Sequence, residues 1–210
     1  MAILEIGVLA SGTGSNLQAI LDAIAAGTLD AKVRIVISNV REAPALQRAV
    51  KAGIATVVIP HAQFPSRREF DAAIAQALDQ AEAKWVVLAG FMRVLTPEFL
   101  KKFQRRVVNI HPALLPAFPG VHAQKQAFEH GVKLAGCTVH FVDEGVDSGP
   151  IIAQRAVPVL DDDSADSLAK RILEQEHLLF VDVLRWLAAD RVRWVEGLSG
   201  ERTKIAILPA

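Results

Sequence analysis

A single cysteine, Cys137, stands in 210 residues, which excludes an intramolecular disulfide and any zinc site built on several thiols. A reducing compartment, and so the cytoplasm, is the expectation. Net charge is lacking too: 23 Lys and Arg balance 23 Asp and Glu, leaving no global field to draw the chain onto nucleic acid or a membrane. An anionic ligand must therefore be held by local geometry. No uninterrupted apolar run reaches the ~18 residues of a spanning helix. The opening MAILEIGVLA has no basic region and no cleavage site before it meets a glycine turn, so it reads as a first strand and not as a signal peptide.

What is present is an alternation of periodicities. ILEIGVLA reads as a strand, SNLQAILDAIAAG as a helix ended by Gly27, and VRIVISN as a second strand. APALQRAVKAG then reads as a helix, TVVIP as a short strand, SRREFDAAIAQALDQAEA as an amphipathic helix opened by Ser66, and KWVVLAG as another strand. Continuous apolar strands alternating with helices predict an α/β fold, an open and mostly parallel Rossmann-like sheet with helices on both faces. Thr96 and Pro97 suit an N-cap and the first position of a short helix reaching about Phe103, followed by the strand VVNI. Beyond residue 131, KLAGCTVHFV and GPIIAQRAVPV flank the turn-rich DEGVDSG, which predicts antiparallel strands added in the C-terminal half. A helix over about 164 to 189 and two short terminal strands complete the chain. Length favours one domain, and no linker forces a boundary.

Between the first strand and first helix, SGTGSN places Gly12 and Gly14 where the backbone can approach a ligand and the helix N-terminus offers amides to an anion. Phosphate is the natural guest, and Ser15 and Asn16 add side-chain donors; a plain connecting turn is the competing reading. Leu17 occupies the place of the third glycine in the dinucleotide fingerprint, and the Gly-Lys-Ser/Thr ending of a nucleoside triphosphate loop is absent.

Asn109 and His111, two apart at a strand end, point the same way by alternation. An amide donor beside an imidazole is what a reaction through a tetrahedral oxyanion requires, one to hold charge and one to move protons. The Pro-rich run after them cannot continue helix or strand, which places the pair at the lip of a cleft. Among the other histidines, His61 and His130 read as surface-loop or helix-end residues, His122 as a helix-start or ligand residue, and His140 as packed or hydrogen-bonded within a strand. In DEGVDSGP, turn chemistry accounts for most of the carboxylates. Asp147 is the one whose following Ser-Gly-Pro fixes it at the start of the next strand, where it can favour an imidazolium or relay protons through water.

SGTGSNLQAI at the first turn, SRREFD at 66 to 71, VVLAGFMRVL at 86 to 95, NIHPALLPAFPG at 109 to 120, GCTVHFVDEGVDSGPIIAQ at 136 to 154 and QEH at 175 to 177 resemble, in order and nearly end to end, the folate-dependent phosphoribosylglycinamide formyltransferases. The resemblance implies transfer of the formyl group of 10-formyltetrahydrofolate to the glycine amine of 5-phosphoribosylglycinamide (GAR) in purine synthesis. It implies that Asn109 and His111 stabilise the oxyanion with His111 as general acid, and that Asp147 raises the imidazole pKa and shuttles protons. It further implies that Gly14, Ser15 and Asn16 hold the phosphate and Glu176 the ribose. Arg67, the segment Met92, Arg93, Val94 and Leu95, Asn109, and the loop Asp143, Glu144, Gly145 and Val146 would line the folate site.

On this basis residues 1–210 form one formyltransferase domain, 1–105 its nucleotide- or phosphate-binding half and 106–210 its catalytic and folate-binding half. The substrates would meet at the carboxyl ends of the parallel strands. The partners expected are the two small molecules, with no nucleic acid, no membrane and no metal, since the donor formyl group is already an activated amide; whether the chain is a monomer or a homodimer is left open. Simpler roles stand beside these: a solvated helix opening for Arg67, core positions for Met92, Val94 and Leu95, and i,i+4 pairing for Glu176. Ala113 stands where the superfamily usually has serine, and Leu173 where this family is often polar. Within the superfamily, a deformylase of 10-formyltetrahydrofolate would carry an extra N-terminal domain, and a methionyl-tRNA formyltransferase an Arg-Gly in place of Phe118-Pro119-Gly120 and an RNA-binding extension. Outside it, a nucleotide-binding module would bind phosphate without turnover, and an oxidoreductase would have no use for Asn109 with His111.

Overall fold

The computed structural model describes residues 3–197 and 202–209; Met1 and Ala2, which open the run read as a first strand, lie outside the described residues. Two compact units divide the chain, Met1–Asn109 and Ile110–Ala210.

In the first unit β1 (Leu4–Leu9), β2 (Ala31–Ser38), β3 (Thr56–Val58), β4 (Trp85–Leu88) and the start of β5 (Val107–His111) alternate with α1 (Ser15–Ala25), α2 (Pro44–Lys51), α3 (Arg67–Gln80) and α4 (Pro97–Lys102). Each strand pair is parallel: β1 with β2 and β4, β2 with β3, and β4 with β5. Central strands packed on both faces account for the lack of polar alternation. Ile6, Val8, Leu9, Ile37, Val86 and Val87 are fully buried, as are Leu17, Ile20, Ile74 and Leu78 from the helices. Ser66 caps α3 by accepting from the Glu69 N–H, as its position suggested. Thr96 does stand at the N-cap of α4, but its side chain makes no capping bond. Its backbone N–H instead donates to Asp71 of α3, at 2.6 Å.

In the second unit α5 (Ala123–Glu129), β6 (Leu134–Phe141), β7 (Ile151–Pro158), α6 (Ala165–Ala188), β8 (Val192–Val195) and β9 (Lys204–Ile207) follow. β6 pairs antiparallel with β7 from Leu134 opposite Pro158 onward, and β8 pairs antiparallel with β9. The parallel strands of the first unit and the antiparallel pairs of the second are the architecture expected. Ser164 and Ser167 close a capping box at the start of α6, whose Leu168, Ile172, Phe180 and Leu184 are buried with Cys137, Val139 and Phe141 of β6. α5 begins at His122, the helix-start position that is one of its two sequence readings, and ends at the C-cap His130. It is 7 residues long, and its N-cap His122 sits in the left-handed region at φ 58° without a capping side chain.

Candidate active site

At the end of β5, Asn109 is half-buried and His111 is buried, at alternate positions of one strand. The loop after β5 is tied to β6 and β7: Thr138 Oγ1 of β6 donates to the Ala113 carbonyl at 2.7 Å and accepts the Leu115 N–H at 3.0 Å, while Gln154 of β7 donates to the Leu115 carbonyl at 2.9 Å. This loop brings the Phe118 carbonyl to 2.8 Å from His111 Nε2. A carbonyl only accepts, so Nε2 carries a hydrogen in either charge state. The proton that titrates is therefore on Nδ1, which lies 3.2 Å from Asp147 Oδ2.

Asp147 reaches this place from the β6–β7 connection with its backbone in the left-handed region, φ 52°. The return of that loop passes close to β6, where a Cβ on Gly149 would come within 1.9 Å of the Phe141 carbonyl oxygen. Asp147 Oδ2 also accepts the Gly120 N–H at 2.8 Å, and Oδ1 lies 3.6 Å from Nε2 of the buried His140. His140, read from sequence as a packed strand residue, thus flanks the same carboxylate as His111; only the long-range pairing of loop and strand reveals it.

Burial would raise Asp147, but the hydrogen bond with His140, the Gly120 N–H and the two imidazoles hold its carboxyl below the usual range. For His111 the balance runs otherwise than the carboxylate alone suggests. Burial pulls the imidazole below its ordinary value, against the Phe118 carbonyl and Asp147, which favour the charged form; His140 adds to the lowering. Both groups are depressed in the folded state, so each contributes stability above its unfolded pKa that is lost as the pH falls through the folded value. The thermal midpoint should therefore fall as the pH drops below about 6.5, and His111→Gln should shrink that first step. A wild-type midpoint that rises between pH 7 and pH 5.5 would contradict the assignment.

The remaining carboxylates of the loop divide by role. Asp143 accepts from Gly145 N–H at 3.2 Å and from Ser148 Oγ at 2.7 Å, a turn-forming arrangement. Glu144, Gly145 and Val146 are exposed. Glu176 is buried in α6, which sets it apart from a surface i,i+4 partner, and Leu173 is half-buried one turn earlier. Burial first and then the Glu176 carboxylate push the Cys137 thiol up to about 12, so this cysteine is chemically inert at neutral pH.

In the first unit, Gly14 is the N-cap of α1 at φ 72° with no side-chain cap, leaving the amides at the start of the helix to a ligand. Ser15 is half-buried and Asn16 buried. Glycine is required twice here, because a Cβ at 14 would also lie 2.6 Å from Ala45 Cα, an atom of the α2 backbone. Gly14→Ala should cost about 2 to 4 kcal/mol, from the left-handed backbone and overpacking together, read as a lower urea midpoint; an unchanged midpoint would show that α2 yields freely. The sequence reading missed Arg48 of α2, whose Nε donates to the Thr13 carbonyl at 2.9 Å and whose Nη1 donates to Gln18 at 3.1 Å. It places a cation and a brace on the glycine turn.

Arg67 opens α3 and is exposed; Met92 and Val94 are exposed, Arg93 is half-buried, and Leu95 is core. Arg67 and Arg93 both act electrostatically on the buried Asp71, so the structure does bring the start of α3 and the 92–95 segment together. A cavity of about 910 Å³ elsewhere in this unit, lined by Leu21, Ile24, Val33 and Ile54 among others, includes none of the expected site residues. Among the described residues no cluster of His, Cys, Asp or Glu could hold a metal ion, and no helix is long and apolar enough to cross a membrane.

A parallel sheet leading to a strand-end asparagine and histidine, with an aspartate returned onto the imidazole, defines a class. The chain belongs to the formyl transferase family, which matches residues 4–184. Within that family it is similar to the phosphoribosylglycinamide formyltransferase of Escherichia coli, 43% identical over 202 residues and 95% of each chain. The crystal structure of glycinamide ribonucleotide transformylase 1 from Symbiobacterium toebii superposes with a TM-score of 0.93 at 48% identity, covering 99% of this chain and 95% of that one. The trifunctional purine biosynthetic protein adenosine-3 of Drosophila melanogaster is 53% identical over 185 residues, 87% of this chain. The chain spans only 14% of the length of that multifunctional relative.

Proposed function

We propose that this chain transfers the formyl group of 10-formyltetrahydrofolate to the glycine amine of GAR, giving formyl-GAR and tetrahydrofolate, as a phosphoribosylglycinamide formyltransferase acting in the cytoplasm. The observation that carries the reading is the pairing of the buried His111, two residues beyond Asn109 on β5, with the half-buried Asp147. The similarity to the E. coli enzyme over nearly the whole of both chains supports it.

The free amine attacks the formyl carbon and the carbonyl oxygen gains negative charge. Asn109 donates to that oxyanion, and His111 acts as the general acid. Burial holds the resting imidazole below its ordinary range; the Asp147 carboxylate and the developing oxyanion act against burial and favour its protonation. Collapse breaks the bond from the formyl carbon to the folate nitrogen. The proton lost by the amine is returned to that nitrogen through the His111–Asp147 pair and water.

Gly14, Ser15 and Asn16 hold the GAR phosphate, and Glu176 holds its ribose. Arg67, Met92, Arg93, Val94, Leu95, Asn109, Asp143, Glu144, Gly145 and Val146 serve the folate. Residues 1–210 act as one formyltransferase domain, 1–105 serving the nucleotide and 106–210 the chemistry and the folate. Its partners are these two small molecules, with no nucleic acid and no membrane. The chemistry asks for no metal, because the donor is already an activated amide. Mass spectrometry after incubation with both substrates should find GAR converted to its formyl derivative; unmodified GAR at high protein concentration would refute the reading.

A further inference from the structure

The segment between β4 and α4 is held at both ends by side chains of the first unit. Met92 N–H donates to Ser11 Oγ at 2.9 Å, and Thr96 N–H donates to Asp71 Oδ2 at 2.6 Å. Ser11 is also the first residue of the glycine turn. Its N–H donates to the Gly90 carbonyl at 2.9 Å, and its hydroxyl donates to Asn39 Oδ1 at 2.6 Å. Asn39 is buried just past the end of β2.

A hydroxyl has one hydrogen, and here Asn39 takes it, so the Ser11 lone pairs are turned to the Met92 amide. The direction of the chain of bonds is therefore fixed, from Met92 to Ser11 to Asn39. One side chain thereby joins the ends of β1, β2 and β4. It also joins the two stretches assigned to different substrates, the turn that holds phosphate and the 92–95 segment that serves folate. A residue in that position transmits any displacement of one stretch to the other, because moving the turn breaks or tightens a bond to Met92.

We infer that Ser11 is a positioning residue that couples the two substrates, so that a bound ribonucleotide raises the affinity for folate and the reverse by the same factor. The inference rests on the functional reading above. Ser11 acts through its bonds to the backbone and to Asn39 and need touch neither substrate. Arg48 and the Ala45 N–H brace Thr13 and Gly12 of the same turn from α2, a different direction.

The test is a binding cycle by titration calorimetry on the whole chain, with GAR titrated alone and again in saturating tetrahydrofolate, which carries no formyl group and cannot react. Wild type should bind GAR about three- to tenfold more tightly with the folate present, the span of one neutral hydrogen bond. Ser11→Ala should bring that ratio to one. Asn39→Asp, which keeps the acceptor for the hydroxyl, should retain it, and Asn39→Leu should abolish it; this pair carries the test should Ser11→Ala fail to fold. A wild-type ratio of one, or a Ser11→Ala or Asn39→Leu protein with the wild-type ratio, overturns the coupling. Those results leave the functional reading intact so long as wild type still forms formyl-GAR, whereas a wild type that forms none removes the reading itself.

Discussion

Asn109→Ala is expected to lower kcat about 100- to 1,000-fold, the usual cost of one oxyanion donor, while the unfolding midpoint stays near wild type. The reason lies in when the bond is made. An amide aimed at the developing oxygen strengthens as charge accumulates, so its loss falls on the transition state more than on the ground state. Both kcat and kcat/KM should therefore drop together, with KM for each substrate little changed. Asn109 is half-buried opposite Leu88 in the β4–β5 register, where trimming a polar side chain leaves the backbone ladder in place. A variant with near-normal turnover would remove Asn109 from the mechanism, and one that raised only KM would make it a binding residue.

Asp147→Asn is the second large effect expected, a fall in kcat of about 100- to 10,000-fold, the range for loss of a positioned proton-transfer group. Asparagine preserves size and can still accept the Gly120 N–H, so the loop has little reason to move. What disappears is the negative charge 3.2 Å from His111 Nδ1. That charge opposes the effect of burial on the imidazole. Without it the His111 pKa should fall further, and the limb of the pH–rate profile assigned to His111 should move to lower pH. A modest loss of rate with an unmoved profile would mean that the carboxylate only shapes the loop.

The parts of the fold that could be read in advance are those whose cause is local. Apolar strands, the Ser66 cap and the turn-rich DEGVDSG each carry their reason within a few residues, and each matches an observed feature. Of α5 only the start at His122 is legible, because a 7-residue helix opened by a left-handed histidine offers neither period nor side-chain cap. Thr96 is the N-cap that its sequence suits, but the long-range bond of its backbone N–H, to a residue 25 positions away, has no local sign. In the site, Asn109, His111 and Asp147 stood out by residue type and spacing. Their electrostatics did not. His140, Phe118 and Gly120 reach the pair only through the fold, and the burial that lowers His111 belongs to the packed unit and to no motif. Ser11 escaped notice because nothing in SGTGSN distinguishes a hydroxyl that bridges strand ends from one that faces a phosphate.

Whether an amine or water receives the formyl group is measured directly as tetrahydrofolate release from 10-formyltetrahydrofolate with and without GAR. Release that depends on GAR, one tetrahydrofolate for each formyl-GAR formed, is the result expected. Release at the same rate without GAR would make this protein a hydrolase of the folate, and no release in either case would leave it no formyl-transfer chemistry at all.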